Sequence, residues 1–331
     1  MIPSMKANNI LILICLTVAA LTGGCAIGGP YPAYKWKATV RVVDESGLPV
    51  PGAAVSIGYM ILPEPIDPKA NRNAEFYGVT DANGVFSVSH TDSATSLGID
   101  IKKEGYYRTR TVHELYVPEQ LDDVTVKKSR HANLRLVLRK IGNPIAMYAK
   151  NLSVLSRLRL PEMGKPIGYD LMVGDWVGPY GKGVSTDIFF KEESYRKSSD
   201  QYSDVVTVNF PNPGDGIQVF ELPEAQQGGE FRSPHKAPTT GYQSEYRREC
   251  SAGLGQAEKY EFDPHRIYLF RVRTVLNHDG QVVSAHYGKI YGDFMQFRYY
   301  LNPTPNDLNL EFDPSKNLIQ HLRYDEGVSD P

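Results

Sequence analysis

The chain has 331 residues, of which 41% are hydrophobic and 22% charged, and its formal net charge is -2. This composition is typical of a globular protein, and the length suggests an export signal followed by two domains. Lysine and arginine are not in excess, so the sequence provides no basic surface to neutralise phosphates and predicts that nucleic acid is not a partner.

Residues 1–24 are typical of an export signal, because Lys6 precedes an apolar stretch from Ile10 to Leu21. That stretch is short for a membrane span. The order Leu21-Thr22-Gly23-Gly24-Cys25 then resembles a bacterial lipoprotein signal, in which the cysteine is acylated and becomes the first mature residue. The leucine stands one place further from Cys25 than is usual there, and plain secretory cleavage is the alternative.

The lipoprotein resemblance implies a lipid on Cys25 that attaches the protein to a membrane. Ala26 follows the cysteine, which implies the outer membrane of a Gram-negative cell envelope. Residues 25–35 are rich in glycine and proline and would form a tether. Only Cys250 would stay free in the mature chain, which predicts no intramolecular disulfide and favours a buried thiol over a catalytic one.

Residues 36–139 show the two-residue alternation of half-buried strands, as in Val40 and Val42, or in Leu97, Ile99 and Ile101. The run from Asp81 to Gly84 predicts a tight turn in which the glycine takes a positive φ. A calcium loop of the EF-hand type is excluded, since it needs a glutamate six residues after that glycine, where the sequence has histidine.

Three motifs in this region resemble the carboxypeptidase regulatory-like domain: Gly47 to Ala53, Thr80 to Gly84, and Gly105-Tyr106-Tyr107. The resemblance spans roughly residues 36–138 and implies a transthyretin-like seven-stranded β-sandwich without catalytic activity. The His-x-x-Glu zinc motif of the associated metallopeptidases occurs nowhere in the chain. A proline-rich insertion at residues 62–68 departs from the family by lengthening one connection.

Residues 140–166 have mixed patterns and are predicted to be a connector, either a short helix or an extended linker. Residues 167–331 again alternate like strands and predict a second β-rich domain, a sandwich or an open barrel, so the expected fold class is all-β. Between Pro223 and Tyr260 the chain makes a long polar excursion, which is predicted to be either functional or disordered.

Candidate functional residues in the second domain form two groups. Asp175, Trp176 and Tyr180, here called the ligand shelf, could stack on a sugar, although a core position is the favoured interpretation of Trp176. Four carboxylates could serve a glycan hydrolase, which needs a pair of them: Asp175, Asp187, Asp293 and Glu311. None of the eight histidines pairs with another at ligand spacing, so no metal or other cofactor is expected.

The sequence therefore predicts a non-enzymatic, lipid-anchored protein of the cell envelope with a binding or scaffold role. Its expected partners are the membrane, through the N-terminal lipid, and a glycan or envelope protein. An envelope glycan hydrolase that uses the carboxylates of the second domain is the alternative.

Overall fold

The computed structural model describes residues 34–61, 72–92, 94, 96–115, 130–152, 160–223, 226, 228–253, 259–260, 266–294 and 296–331. The predicted export signal, Cys25 and most of the tether lie outside these residues. The described residues form nineteen β-strands and no α-helix, which confirms the all-β fold class. No helix in this part of the chain is long and apolar enough to cross a membrane.

The first seven strands form two sheets that pack as the N-terminal sandwich. Sheet 1 has the order β4-β1-β7, and sheet 2 has the order β3-β2-β5-β6. The strand bounds are β1 (Tyr34–Val43), β2 (Ala54–Ile61), β3 (Arg72–Val79), β4 (Val85–Asp92), β5 (Ser96–Lys102), β6 (Thr109–Glu114) and β7 (His131–Val137). The seven-stranded sandwich expected for this part of the chain is therefore present.

The core of the N-terminal sandwich follows from the alternation in its strands. Trp36, Val40 and Val42 of β1 are fully buried, as are Leu97 and Ile101 of β5, and all belong to one apolar cluster. Burial of side chains of this size contributes about 1.5–3 kcal/mol each relative to exposure.

The predicted tight turn between β3 and β4 is also present. Gly84 has a φ of 71°, and Asp81 accepts hydrogen bonds from the backbone amides of Asn83 and Val85 at 2.9 and 2.8 Å. The Asp81 carboxylate thus takes up local backbone donors, which agrees with the turn and not with a calcium loop.

The remaining twelve strands form two six-stranded sheets, the C-terminal sandwich. Sheet 3 has the order β10-β9-β11-β12-β14-β15 and sheet 4 the order β13-β16-β17-β18-β8-β19. The strand bounds are β8 (Ile145–Leu152), β9 (Ile167–Asp170), β10 (Asp175–Trp176), β11 (Ile188–Arg196), β12 (Tyr202–Asn209), β13 (Gly216–Phe220), β14 (Glu245–Ala252), β15 (Lys259–Tyr260), β16 (Ile267–Leu276), β17 (Val282–Asp293), β18 (Gln296–Leu301) and β19 (Phe312–Asn317). Of the two predicted architectures, the structure is the sandwich.

Part of the predicted connector is a strand. Residues 145–152 form β8, which pairs antiparallel with β18 and parallel with β19 inside sheet 4. Met147 and Ala149 point to one face of the sheet and Leu152 to the other. A strand packed on both faces has no clean alternation of apolar and polar residues, which is why the pattern is ambiguous.

Sheet 4 is covered on both faces. Tyr268 and Phe270 of β16 pack against sheet 3, whereas Ile267 and Leu269 of the same strand lie in a second apolar cluster on the opposite face. That face is covered by residues 228–242, here called the covering segment, and by residues near Leu310. The covering segment lies inside the predicted polar excursion, and it is an ordered layer of the fold.

Candidate functional site

The ligand shelf lies at β10 and in the loop that follows this strand. The half-buried indole of Trp176 packs edge-to-face on Tyr169 and Phe190, with ring centroids 5.1 and 6.0 Å away. Tyr180 is 41% exposed, and its hydroxyl donates a 2.7 Å hydrogen bond to Glu162. The packing of Trp176 agrees with the interpretation of this residue as part of the core. Tyr180 is the more exposed of the two rings. Ligand binding at the shelf stays a prediction.

Asp175, the third residue of the shelf, closes the loop on itself. Its carboxylate accepts hydrogen bonds from the backbone amides of Trp176 and Lys182, both at 2.9 Å. A side chain on Gly181 would overlap the carbonyl oxygen of Trp176. The loop of residues 178–183, which contains three glycines, is therefore a structural turn around this carboxylate.

Asp187, another candidate catalytic carboxylate, lies in a buried ion pair. Its side chain is fully buried, and its two oxygens contact Nε and one terminal nitrogen of Arg273 at 2.8 and 3.0 Å. Burial raises the pKa of Asp187, while Arg273 opposes this shift. Arg273 also reaches Asp170 at 3.0 Å, so the guanidinium lies between a carboxylate of β9 and one that directly precedes β11. Asp187 therefore links the start of β11 in sheet 3 to β16 in sheet 4.

The other two candidate carboxylates lie elsewhere and also have protein partners. Asp293 contacts Arg248 at 3.3 Å and accepts a 2.8 Å hydrogen bond from the amide of Gln296. Glu311 is only 4% exposed at its side chain and forms hydrogen bonds at the boundary between the two sandwiches. Each of the four candidate carboxylates is thus bonded to groups of the protein itself.

Glu311 is the centre of a polar cluster that joins the two sandwiches. Its carboxylate accepts hydrogen bonds from the hydroxyl of Tyr107 and the amide of Gly142, both at 2.8 Å, and lies 2.5 Å from Nδ1 of His235. Burial opposes ionisation, but these hydrogen bonds lower the pKa of Glu311 to about 2. The carboxylate is therefore charged at neutral pH despite its burial.

The same histidine contacts a carboxylate of the N-terminal sandwich. Nε2 of His235 lies 3.2 Å from both oxygens of Glu45, and Glu45 also accepts a 2.8 Å hydrogen bond from Nε of Arg139. Arg139 in turn donates to the carbonyl oxygen of Ser233 in the covering segment. Glu45, Tyr107, Arg139, His235 and Glu311 are called the junction cluster below.

Beneath the junction cluster lies a cationic side chain surrounded by aromatic rings. Lys289 of β17 is fully buried, and its ammonium nitrogen lies 4.5, 5.0 and 4.7 Å from the ring centroids of Phe231, Tyr291 and Tyr300. It also lies 3.2 Å from the hydroxyl of the fully buried Ser233. Burial lowers the pKa of Lys289. The three rings provide cation–π contacts that offset part of the lost hydration.

The covering segment also extends sheet 2 of the N-terminal sandwich. The amide of Arg110 donates to Gly228, the amide of Glu230 donates to Arg108, and Thr109 forms an antiparallel bridge with Gly229. Phe231 stacks on Tyr107 at 4.9 Å. The two sandwiches therefore share a β-type edge, a stacked ring pair and the junction cluster.

A groove of about 580 Å³ runs beside this edge. Its lining includes side chains of both charges and one half-buried aromatic ring: Lys102, Lys103, Glu104, Tyr106, Arg108, Ile141 and Glu230. The groove therefore presents cationic, anionic and aromatic side chains on one surface.

Other predicted chemical groups have ordinary environments. Cys250 is a free, buried thiol in β14, and Cys25 lies outside the described residues. Among the residues with described placement, no group of three or more histidine, cysteine, aspartate or glutamate side chains is suited to holding a metal ion.

Sequence reasoning named Glu311 but did not find the junction cluster. Its members are far apart in the chain, since 190 residues separate Glu45 from His235 and 204 separate Tyr107 from Glu311. No local spacing brings such residues together. The available indication was the length of the polar excursion that contains His235, because long loops in compact proteins are often functional.

No family model and no curated protein matches the chain. Solved structures that resemble it include catechol 1,2-dioxygenase of an Acinetobacter species, with 14% identity, 36% of this chain, 56% of that chain and a TM-score of 0.24. A 3-chlorocatechol 1,2-dioxygenase of Rhodococcus opacus has 14% identity, 39% and 78% coverage and a TM-score of 0.23. A shaft pilin of Lactobacillus rhamnosus GG has 11% identity, 56% and 90% coverage and a TM-score of 0.23. The match spans about half the length of the first of these proteins.

Proposed function

We propose that this protein is a non-enzymatic, lipid-anchored component of the cell envelope with a binding or scaffold role. The observation that supports this proposal is that all four candidate carboxylates are bonded to other groups of the protein. Asp175 and Glu311 accept backbone and side-chain hydrogen bonds, while Asp187 and Asp293 contact arginines. A glycosidase needs two carboxyl groups that face one substrate cleft, whereas each of these four is engaged by groups of the protein.

The joined sandwiches support a scaffold role. Because a shared β-type edge and the junction cluster hold the two sandwiches together, the protein is suited to present the exposed Tyr180 loop and the groove at fixed positions. Both surfaces carry an aromatic ring beside polar groups, a combination that suits glycans. Attachment through Cys25 rests on the sequence pattern alone.

The anchor is tested by expressing the full chain in a Gram-negative bacterium that is fed a fatty acid bearing an alkyne. We expect label on the protein in the membrane fraction, and loss of both label and membrane association in Cys25→Ser. Cys15→Ala, a change within the predicted signal, is the matched control and should keep the label. An unlabelled protein, or one that keeps its label in Cys25→Ser, would contradict the anchor.

The binding role is tested with the Cys25→Ser chain on arrays of envelope glycans and in pull-downs from envelope extract. We expect retention of a glycan or envelope protein without release of hydrolysis products. Tyr180→Ala and Tyr106→Ala test the shelf and the groove separately, and Tyr195→Ala, at an exposed position of β11, is the control. Turnover of an envelope polymer would overturn the proposal.

A further inference from the structure

His235 is the only member of the junction cluster that contacts carboxylates of both sandwiches. Nδ1 faces Glu311 at 2.5 Å and Nε2 faces Glu45 at 3.2 Å. A neutral imidazole carries one N–H group and therefore donates to one carboxylate at a time, whereas the imidazolium donates to both. The protonated ring can thus donate hydrogen bonds to Glu311 and Glu45 together, which the neutral ring cannot do.

We propose that His235 is a pH-dependent clamp between the two sandwiches, closed while the imidazole is protonated and loosened on the Glu45 side when it loses the proton. The neutral ring keeps its N–H toward Glu311, the closer carboxylate. Its Nε2 lone pair then faces the negative charge of Glu45, which changes an attraction into a repulsion.

The charged groups around the ring favour the protonated form. The hydrogen bond to Glu311 raises the pKa of His235 above its usual value; burial and Arg139 oppose this shift, and the charge of Glu45 adds to it. Burial also opposes ionisation of Glu45, but Arg139 and His235 lower the pKa of this carboxyl. Both carboxylates are therefore charged over the pH range in which His235 titrates.

The remaining neighbours leave this balance intact. The backbone amide of Lys140 donates to Glu45, but its ammonium group lies 3.7 Å from Asp44 instead. The cationic side chain that bonds to Glu45 is therefore that of Arg139. On the other side of the ring, Phe231 separates His235 from the buried Lys289, since it packs 4.8 Å from the imidazole and 4.5 Å from the ammonium nitrogen.

The direction of the effect follows from the raised pKa. A histidine whose folded-state pKa exceeds the unfolded value of about 6.5 contributes its full stabilisation below that value. The contribution is lost as the pH rises through the folded-state pKa. The clamp is therefore closed at acidic pH and loosens on the alkaline side of about 6.5.

Hydrogen exchange at the shared edge tests the clamp, because the amides of Arg110 and Glu230 bond across the boundary. In the intact chain we expect their protection factors, corrected for the intrinsic pH dependence of exchange, to fall about tenfold between about pH 6 and pH 9. The amide of Phe210, bonded to Ser244 within the C-terminal sandwich, should stay protected and serves as the reference.

Two variants and one control make the test specific. His235→Gln should show low, pH-independent protection at Arg110 and Glu230, and Glu45→Gln, which retains the Glu311 contact, should show a smaller change between the two pH values. His278→Gln, which changes a side chain that is 88% exposed, should show the same protection as the wild-type protein. Constant protection in the unchanged protein, or a pH dependence that survives in His235→Gln, would overturn the proposal.

Discussion

The phenol of Tyr107 donates a 2.8 Å hydrogen bond to Glu311, a residue 204 positions further along the chain. Tyr107 follows the N-terminal sheet strand β5 and Glu311 directly precedes β19, so this bond crosses the boundary between the two sandwiches. Burial, together with the bond to Glu311, raises the pKa of Tyr107 well above its usual value. The phenol therefore remains a donor throughout the pH range in which proteins are normally studied.

A double-mutant cycle measures this bond. Tyr107→Phe removes the donor and Glu311→Gln replaces the charged acceptor with a neutral one, so each should lower the free energy of unfolding by about 1–3 kcal/mol. Their effects should be non-additive by about 0.5 kcal/mol or more. Urea unfolding at neutral pH provides the measurement, and Tyr106→Phe, the neighbouring and less buried tyrosine, is the control. Additive effects would show that the two groups do not stabilise one another.

Arg273 and Asp187 provide the second prediction. Arg273→Met leaves the fully buried Asp187 without its cation, and breaking a buried pair in this way costs about 3–5 kcal/mol. The loss should shrink at low pH, because the isolated Asp187 can then take up a proton. The exposed pair of Arg196 and Asp204 is the control, and Arg196→Met should change stability by about 0–1 kcal/mol. A small effect of Arg273→Met would mean that Asp187 is not held as the structure indicates.

Lys289 provides the third prediction, in which the substitution is expected to increase the stability of the protein. Its removal together with its hydroxyl partner, in Lys289→Met with Ser233→Ala, should stabilise the protein by about 1 kcal/mol or more at neutral pH. Methionine keeps much of the side-chain volume among the three rings while the cost of burying an ammonium group disappears.

The pH dependence of the Lys289 variant distinguishes this explanation from better packing. Burial lowers the folded-state pKa of Lys289, so the penalty is fully present below that pKa and vanishes above the unfolded value of about 10.4. The advantage of the double variant should therefore decline as the pH rises toward that value. Lys316→Met, at a side chain 61% exposed, should have little effect at any pH. A gain in stability that does not depend on pH would contradict the explanation that burial of the ammonium group is costly.

Two adjacent glycines test the shared β-type edge without changing any charge. A side chain on Gly228 would overlap the carbonyl oxygen of Arg110 in the N-terminal sandwich, whereas at Gly229 the nearest atoms are 3.3 Å away. Gly228→Ala should therefore raise hydrogen exchange at the Arg110 amide more than Gly229→Ala does. Equal exchange in the two variants would mean that the covering segment is not held against β6.

The sequence predicted the strands well where one face of a sheet is buried and the other is not. Trp36, Val40 and Val42 alternate with polar residues, and the structure buries all three. The same holds for Leu97, Ile99 and Ile101 in β5. Alternation is informative in these strands because successive side chains point to opposite faces.

The pattern was least informative where sheet 4 is covered on both faces. In β8, Met147 enters one apolar cluster and Leu152 the other, while Lys150 reaches Glu326 at 3.1 Å. The junction cluster was not predictable for a different reason, because side chains such as His235 and Glu45 meet only after both sandwiches have formed. Composition and spacing cannot indicate a contact that depends on tertiary structure alone.

The position of β8 in sheet 4 has a consequence for biosynthesis. This strand is the first of its sandwich to emerge during translation, yet its neighbours in the sheet are β18 and β19, and Ala149 bonds to Asn317 across 168 residues. Such long-range pairing slows folding. The N-terminal sandwich can therefore complete itself while β8 still lacks its partners, and chaperones that shield unpaired strands would be needed most during this interval.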